Sequence, residues 1–226
     1  MTFQAYHRAR RMGMAMEQLR TGGDSLAVGL EHGFESSSGF RDAFAKVFGT
    51  TPGRSNGVVT VKTARIETPL GPMVAGAAED GVCFLEFADR RAFERQAAVL
   101  RRRCHAVMTP GRSELLESLE DQLDEYFDGA RRTFDVPLKL EGSAFQTRVW
   151  AALQNVPFGE TKTYAQIART IGRPSASRVV GRANGDNRIA ILIPCHRVVG
   201  QNGKLTGYGG GLWRKKWLLE HERKHA

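Results

Sequence analysis

Cys195 has the surroundings that most favour covalent chemistry in this sequence. It follows an apolar run at residues 189–193 and then Pro194, and His196 and Arg197 come directly after it. The thiolate is the reactive form of cysteine, and a neighbouring imidazole or cation stabilises it. Adjacent side chains on a regular strand point to opposite faces, so His196 can assist only through a turn or a bridging water. The residues alone leave two interpretations open, a nucleophile and a packed structural cysteine.

The other two cysteines, Cys83 and Cys104, have no partner at C-x-x-C spacing. We therefore expect free thiols, no metal and no cofactor. Cys83 lies in a strand-like run and is predicted to be a core residue, and Cys104 is interpreted as an incidental thiol. Free thiols and a start without an apolar signal segment predict a cytoplasmic protein. No stretch approaches the roughly 18 apolar residues that a membrane span needs.

Positive charge is concentrated in the C-terminal part of the chain. The 226 residues carry a formal charge of +9. Residues 140–226 hold 14 basic and 5 acidic side chains, a net of +9, whereas residues 1–57 have a net of +2 and residues 58–139 a net of −2. This distribution favours a polyanion such as nucleic acid as the partner of the C-terminal part. On charge alone, a solvated basic face is the alternative.

The N-terminal residues have the pattern of three short helices. Apolar residues repeat at helical spacing through residues 4–20, Asp24 can cap a second helix, and a third helix follows Ser36 after a turn at Gly33. Two short helices joined by a glycine turn are the outline of a helix-turn-helix. A three-helix packing unit without a DNA role is the alternative.

Residues 58–140 have the alternation of strands followed by helices. Strand-like runs at residues 59–66, 73–77 and 82–87 are separated by turns, and helices are expected at about residues 90–103 and 113–128. Residues 135–140 fit a short strand or a linker. The pattern predicts an α/β domain.

The C-terminal residues contain a second helix-turn-helix outline. A helix from Ala144, another from Thr163 and a third from about Pro174 precede the apolar run at residues 189–193, which is predicted to be a buried strand. A final helix covers about residues 213–224. The candidate nucleophile thus follows a strand within the basic segment.

The turn between the second and third N-terminal helices carries a family motif. The run SLAVGLEHGFESSSGFRDAFAKVFGTTPGR has HGF at the turn and SSSGF at the start of the next helix. It is similar to the second helix-turn-helix of AraC-type regulators, and the preceding YHRARRMGMA is similar to the linker helix of that family. The resemblance implies half of a two-part DNA reader.

A more specific resemblance covers residues 140–226. Its motifs are FQTRVWAALQNVPFGETKTYAQIA, SRVVGRANGDN, ILIPCHRVVG and GYGGGLWRKKWLLEHE. In order and register they resemble the active domain of the O6-alkylguanine-DNA alkyltransferases, also called methylated-DNA–protein-cysteine methyltransferases. Residues 58–139 resemble the variable N-terminal domain of that family more loosely. The order of segments is similar to that of bacterial Ada proteins without their zinc-binding front end.

The resemblance implies catalytic roles by position. Cys195 would accept the alkyl group, His196 would act through a water as its base, and Glu222 would orient that histidine. Asn187 would brace the backbone before the active-site run, and Tyr164 would press on a phosphate and give a proton to the departing guanine. Without the resemblance, the simplest interpretations are a solvated Glu222, a core ring for Tyr164 and a helix C-terminal Asn187.

The resemblance also implies how the DNA is held. Arg178 would fill the vacancy in the base stack, with a plain phosphate contact as the alternative, and further DNA contacts are expected from Arg173, Arg182 and Arg197. The extruded base would lie in a pocket whose glycines allow close approach and whose lining is Val198, Tyr208, Gly209 and Gly210. The sequence departs from the common family pattern at Arg188, where proline often stands, and at Gly209, where some relatives carry serine.

These features predict an α+β chain of three parts. They are a small all-α segment at residues 1–57, an α/β domain at residues 58–140 and a mainly α domain at residues 141–226. The resemblances imply that the first is a partial AraC-type helix-turn-helix, the second ribonuclease H-like, and the third a winged-helix-like alkyltransferase domain. The predicted function is DNA repair by direct damage reversal, with stoichiometric transfer of an alkyl group from O6-alkylguanine, and O4-alkylthymine as a further candidate, to Cys195.

We expect a monomer that acts on double-stranded DNA containing alkylated bases, without membrane association. One alternative is an AraC-type transcription regulator of the alkylation response whose C-terminal domain is a sensor or remnant. Another is a lesion binder that performs no repair. Such binders lack the reactive cysteine, so the presence of Cys195 argues against that second alternative.

Overall fold

The N-terminal unit consists of three helices. A computed structural model describes residues 3–104 and 106–226, and its first helices are α1 (Phe3–Arg20), α2 (Ser25–Glu31) and α3 (Ser37–Phe48). The side chains of Asp24 and Ser36 accept hydrogen bonds from the first backbone N–H groups of α2 and α3. The core that these helices enclose includes Met12, Met16, Val28, Phe40, Phe44 and Phe48.

Helix α1 packs this unit against an edge of the central sheet. Gly13 faces Thr109 so closely that a Cβ at position 13 would lie 2.9 Å from Thr109 Cβ. Beside this contact, Lys62 Nζ lies 2.7 Å from a Glu17 carboxylate oxygen. The helix-turn-helix unit is therefore docked on the next domain by both close packing and charge.

The middle of the chain folds into a four-stranded sheet. Strands β1 (Val59–Ile66), β2 (Met73–Ala78), β3 (Gly81–Phe87) and β4 (Ala106–Pro110) lie in the order β3-β2-β1-β4. β1 pairs antiparallel with β2, β2 antiparallel with β3, and β1 parallel with β4. The parallel pair arises because helix α4 (Phe93–Cys104) carries the chain from one edge of the sheet to the other.

Helices cover both faces of this sheet. Helix α5 (Glu114–Phe127) packs its leucines on one face, and α4 packs Ala97 and Leu100 on the other. Strand β3 is consequently buried at every position, and Cys83 belongs to that core as predicted. Helix α4 begins at Phe93 rather than at residue 90, because residues 87–90 first form a turn.

The C-terminal part is mainly helical. Helices α6 (Ala144–Gln154), α7 (Tyr164–Thr170) and α8 (Ser177–Gly185) pack on one another, and α9 (Leu212–Lys224) ends the chain. The two-residue strands β5 (Lys162–Thr163) and β6 (Val198–Val199) pair in parallel. Helix α8 starts later than the proline at position 174 suggests. Among the described residues, none of the helices combines the length and apolarity needed to cross a membrane.

Residues 189–193 do not form the predicted strand. They contact the edge of β3 at one point, where Leu85 N donates to Arg188 O at 2.7 Å and Ala190 N donates to Leu85 O at 2.8 Å. The chain then turns at Ile191, whose φ of 71° is strained for a β-branched residue. The strand prediction was wrong because this apolar run is buried by packing on the sheet edge. The sheet domain thereby holds the segment that leads to the candidate nucleophile.

Candidate active site

Cys195 begins a 3-10 turn, Cys195–Arg197, and is buried. Its Sγ accepts a hydrogen bond from Asn187 Nδ2 at 3.1 Å. Because these residues form a turn rather than a strand, Cys195 and His196 are not forced to opposite faces. The thiol therefore has a hydrogen-bond donor beside it and a backbone geometry that permits help from the histidine.

Two asparagines brace the turn around Cys195. Asn187 Nδ2 donates to Ile193 O at 2.9 Å as well as to the sulfur, and Asn187 Oδ1 accepts from Ile189 N at 3.0 Å. Asn184, which was not singled out from the sequence, donates from Nδ2 to Cys195 O at 3.3 Å. Since both asparagines lie at the end of α8 or just after it, that helix and the thiol are mechanically coupled.

The environment of Cys195 leaves the sulfur in need of a base. Burial raises the pKa of the Cys195 thiol, and the Asn187 hydrogen bond and the charges of Arg90 and Lys215 offset this in part. A cysteine whose pKa is raised is mainly protonated at neutral pH, so its proton must be taken before it can attack.

His196, which follows Cys195 in the chain, is paired with a buried carboxylate. Its ring is fully buried, and its Nε2 lies 2.7 Å from Glu222 Oε1. Burial lowers the pKa of His196, so the imidazole is neutral at pH 7. An ionised carboxylate only accepts, so Nε2 carries the proton and Nδ1 is the basic nitrogen. Within the described part of the chain, Nδ1 has no hydrogen-bond partner.

The Glu222 carboxylate gathers donors from separate parts of the chain. Besides His196, it accepts from Tyr126 Oη at 2.8 Å, from Gly159 N at 3.2 Å, and from two Arg197 nitrogens at 2.8 and 3.0 Å. Burial by itself would raise the pKa of Glu222, but His196 and Arg197 outweigh it and hold that pKa well below its usual range. The carboxylate is thus ionised and fixed in orientation.

Arg197 does not lie where a DNA contact would place it. Its guanidinium is buried against Glu222, and its Nη1 donates to Val156 O at 2.7 Å. With these acceptors inside the protein, the guanidinium is not free to reach a phosphate. The structure therefore corrects the expected DNA contact of Arg197 to a supporting position behind His196.

A cavity of about 150 Å³ lies beside Cys195. Its walls include three of the four expected pocket residues, Tyr208, Gly209 and Gly210, together with Tyr164. Tyr164 donates its hydroxyl to Thr206 O at 3.3 Å. Burial raises the pKa of Tyr164 and, more strongly, the pKa of Tyr208, so both phenols keep their protons at neutral pH. Tyr164 therefore presents a protonated hydroxyl at the cavity wall.

Val198, the fourth expected pocket residue, is not among the residues that line this cavity. It is fully buried, and its carbonyl accepts a hydrogen bond from Lys215 Nζ at 2.5 Å, while the same ammonium donates to Thr206 O at 2.7 Å. Burial lowers the pKa of Lys215 to about 8. No sequence pattern singled out this lysine, because lysines on a basic helix are usually solvated.

Two residues of the sheet domain also line the cavity. Glu86 lies near the end of β3, Arg90 lies in the turn that follows, and the two side chains form a buried ion pair. Arg90 also donates to Gly185 O at 2.8 Å, at the end of α8. No motif pointed to this pair, since it lies in another domain, far from Cys195 in the sequence.

The expected DNA-contacting arginines of α8 are exposed. Arg178 and Arg182 lie one helical turn apart and share a face, and Arg173 is exposed in the turn before the helix. Their guanidinium groups are therefore available to phosphates. The same helix ends at the asparagines that hold Cys195, so a basic surface and a buried thiol sit at two sides of one helix.

Arg188 is buried where the family pattern often has proline. Its Nη1 donates to Glu141 O at 2.7 Å, and its guanidinium lies 5.8 Å from the centre of the Trp150 ring. The arginine thus ties the active-site loop to the segment before α6, which a proline could not do.

A thiol with a buried histidine–glutamate pair, next to the basic face of a helix-turn-helix, defines the class as DNA-binding proteins with a cysteine nucleophile. Family models match in the same places. Residues 144–224 match the DNA binding domain of 6-O-methylguanine DNA methyltransferase, residues 61–140 match its ribonuclease-like domain, and residues 1–55 match a helix-turn-helix domain.

Curated relatives carry one name, methylated-DNA–protein-cysteine methyltransferase. The protein of Mycobacterium bovis is 45% identical over 161 residues, which cover 71% of this chain and 92% of that protein. The protein of Mycolicibacterium paratuberculosis is 59% identical over 106 residues, or 47% of this chain and 64% of that protein. This chain belongs to the 6-O-methylguanine DNA methyltransferase family.

Solved structures of the family have the same fold. Mycobacterium tuberculosis OGT in complex with DNA is 43% identical, with a TM-score of 0.62, over 74% of this chain and 95% of that one. The O6-methylguanine-DNA methyltransferase of Pyrococcus kodakaraensis is 28% identical, with a TM-score of 0.52, over 73% of this chain and 99% of that one. The family and the α+β fold expected from the sequence are confirmed.

Proposed function

We propose that this protein repairs DNA by transferring the alkyl group of O6-alkylguanine to Sγ of Cys195, and that each molecule acts once. The observation that carries the proposal is the placement of Sγ at the cavity wall, with His196 and Glu222 paired behind it at 2.7 Å. O4-alkylthymine, which presents a similar alkylated oxygen, is a second candidate substrate.

The proton and electron flow can be assigned to residues of the site. The Cys195 proton passes, through a water, to Nδ1 of His196, and Glu222 stabilises the imidazolium that forms. The thiolate electron pair forms the S–C bond as the bond between the alkyl carbon and guanine O6 breaks. The Tyr164 hydroxyl supplies the proton that the departing guanine needs, and the proton held by His196 then returns to the Tyr164 phenolate through solvent. The products are guanine and a thioether on Cys195, which hydrolysis does not reverse.

The substrate base must leave the duplex to reach Cys195. Extrusion costs roughly a few kcal/mol, and less for a damaged pair. Arg173 and Arg182 supply phosphate contacts on this proposal, and Arg178 enters the stack in place of the base. Support comes from the exposure of all three side chains and from α8 itself, which lines the cavity with Gly181, Asn184 and Gly185. The partner is double-stranded DNA with alkylated bases, bound by a monomer in the cytoplasm, where the thiol stays reduced.

The test follows the methyl group from DNA to protein. Duplex DNA with a radiolabelled methyl on O6 of guanine should leave one labelled methyl on the peptide that contains Cys195, as read by mass spectrometry. Cys195→Ala should abolish the transfer. Cys83→Ala, which removes another buried cysteine outside the cavity, is the matched control and should retain it. Transfer by Cys195→Ala at the rate of the original protein would contradict the proposal.

A second candidate function rests on the N-terminal unit. Residues 1–55 match a helix-turn-helix domain, and Arg41 and Lys46 are exposed on the third helix. A role in transcription regulation requires sequence-specific binding by this unit. Selection of binding sites from a random DNA pool, followed by footprinting, tests it. Enrichment of one DNA sequence, abolished by Arg41→Ala, would support a role in regulation. A pool without enrichment would mean that the unit contacts DNA only as an accessory to the repair domain.

A further inference from the structure

Part of the cavity wall is built by a residue of the sheet domain. Arg90 follows β3, and its guanidinium reaches the cavity that holds Cys195 and Gly209. Its side chain is only 7% exposed. A buried guanidinium in a substrate cavity needs a reason, because taking its charge out of water is costly.

The Arg90 guanidinium occupies the space that a side chain at position 209 would need. A Cβ built at position 209 would lie 2.4 Å from Arg90 Cζ and 2.5 Å from its Nε. No side chain can share that volume. The glycine at position 209 and the arginine at position 90 are therefore complementary in shape.

Arg90 is held in this place by several acceptors. Its Nη1 pairs with the Glu86 carboxylate and donates to Asn187 O at 3.2 Å, and its Nη2 donates to Gly185 O at 2.8 Å. These partners come from β3 and from the end of α8, so the guanidinium bridges two domains. Because its guanidinium is held by partners from both domains, Arg90 forms a rigid part of the cavity wall. A solvated arginine could instead move aside for a ligand.

The cavity that results is small. Its volume of about 150 Å³ is below the roughly 300–1,000 Å³ typical of pockets for drug-sized ligands. An extruded base takes up most of such a space. The position of the remaining walls then decides how large a substituent on the base can be.

We propose that Arg90 is a specificity-determining residue that limits the size of the alkyl group accepted by Cys195. The inference rests on the proposed alkyl transfer and deepens it. The guanidinium narrows the cavity beside Gly209, so methyl groups enter and bulky groups such as benzyl are disfavoured. Its pairing with Glu86 leaves little net charge, which makes the effect one of shape.

The experiment compares two substrates in the full-length protein. Single-turnover rates are measured with duplex DNA that carries either O6-methylguanine or O6-benzylguanine, and the ratio of the benzyl rate to the methyl rate is the readout. Arg90→Ala should raise this ratio by about tenfold or more, the scale at which added methylenes are discriminated in a pocket. Arg91→Ala removes an exposed neighbouring charge and should leave the ratio unchanged.

Further variants separate shape from charge and from misfolding. Arg90→Lys keeps the charge without the planar end group and should also raise the ratio. The double variant Glu86→Gln with Arg90→Ala avoids an unpaired buried carboxylate, and it serves if the single variant fails to fold. Gly209→Ala should slow methyl transfer, and Arg90→Ala in that background should restore it.

A ratio that stays at the original value in Arg90→Ala and in the double variant would overturn the role of Arg90. Failure of Arg90→Ala to restore methyl transfer in the Gly209→Ala protein would also overturn it. Failure of the unmodified protein to transfer methyl would instead overturn the proposed function, so the two failures are distinguishable.

Discussion

Tyr126 donates its hydroxyl to Glu222 at 2.8 Å across the boundary between the sheet domain and the C-terminal helices. The tyrosine lies on α5 and is fully buried, and Glu222 lies on α9 with His196 and Arg197 on its other sides. The residue that orients the base is thus itself oriented by the neighbouring domain. The sheet domain thus contributes to the site through this hydrogen bond. It also holds the loop that follows Arg188 against the edge of β3.

Replacing Tyr126 by phenylalanine removes this hydrogen bond and leaves the ring in place. Because a hydrogen bond to a charged group contributes about 1.5–3 kcal/mol, the free energy of unfolding should fall by about that amount. Alkyl transfer should slow as well, since Glu222 is held less firmly. Urea denaturation and single-turnover kinetics measure both effects. Tyr6→Phe, at an exposed tyrosine, is the control and should change neither.

Glu222→Gln keeps the shape of the side chain and removes its charge. The imidazolium of His196 then lacks its counter-charge during transfer, so the rate should fall roughly 100-fold or more. Arg197 is left as a buried, unpaired cation, which should cost on the order of 3–5 kcal/mol of stability.

The same variant should change how stability depends on pH. Because His196 and Arg197 hold the pKa of Glu222 below its ordinary value of 4.5, the folded carboxylate stays ionised where the unfolded one is protonated. Its contribution is complete above about that value and is lost as the pH falls further. Denaturation series should show that the free energy of unfolding of the original protein falls between neutral and acid pH. The fall should be smaller in Glu222→Gln. Equal slopes in the two proteins would contradict this assignment.

Sequence patterns singled out candidate catalytic residues, but they did not predict the packing around those residues. The PCHRV motif pointed to Cys195 and His196 because both proposed roles depend on residue type and local spacing. The burial of Arg197 and the turn at Ile191 were missed, since they depend on contacts with Glu222 and with the edge of β3. Tertiary contacts of this kind override local preference.

The contributions of the sheet domain could not be found from one sequence. Tyr126 and Arg90 sit in ordinary helix and turn contexts, and only the fold brings them to Glu222 and Gly209. The helix-turn-helix pattern before Cys195 was found because capping residues and a glycine turn are local signals. Features that depend on neighbouring residues could be predicted from the sequence, and contacts between domains could not.

The exposed Arg173 and Arg182 should differ from the buried Arg197 in what their loss does. Arg173→Ala and Arg182→Ala each remove a proposed phosphate contact, so each should lower the slope of log affinity against log salt by about 1. Arg197→Ala should leave that slope unchanged and instead lower stability by about 3–5 kcal/mol, because Glu222 loses a buried partner. Binding titrations at several salt concentrations and urea denaturation test these outcomes.

Arg178 has a further expected effect that a phosphate contact would not have. If its side chain replaces the extruded base in the stack, Arg178→Ala should slow repair of duplex DNA more than reaction with a free-base analogue. Arg182→Ala, on the same helix face, is the matched control. Equal losses on both substrates would argue against insertion into the stack.

A substitution at Gly13 tests how the helix-turn-helix unit is attached to the sheet. A valine there would press its Cβ against Thr109, 2.9 Å away, where both backbones are fixed in packed elements. Overpacking of this kind costs about 1–3 kcal/mol, so α1 should separate from β4 and its amides should exchange faster with solvent. Gly53→Ala, where an added Cβ meets open space, is the control. Since Gly13 lies outside the cavity, reaction of Cys195 with a free-base analogue should stay within about twofold. Unchanged exchange in α1 of Gly13→Val would mean that the close contact does not hold the unit, and a large loss of reactivity would mean that docking of α1 reaches the active site.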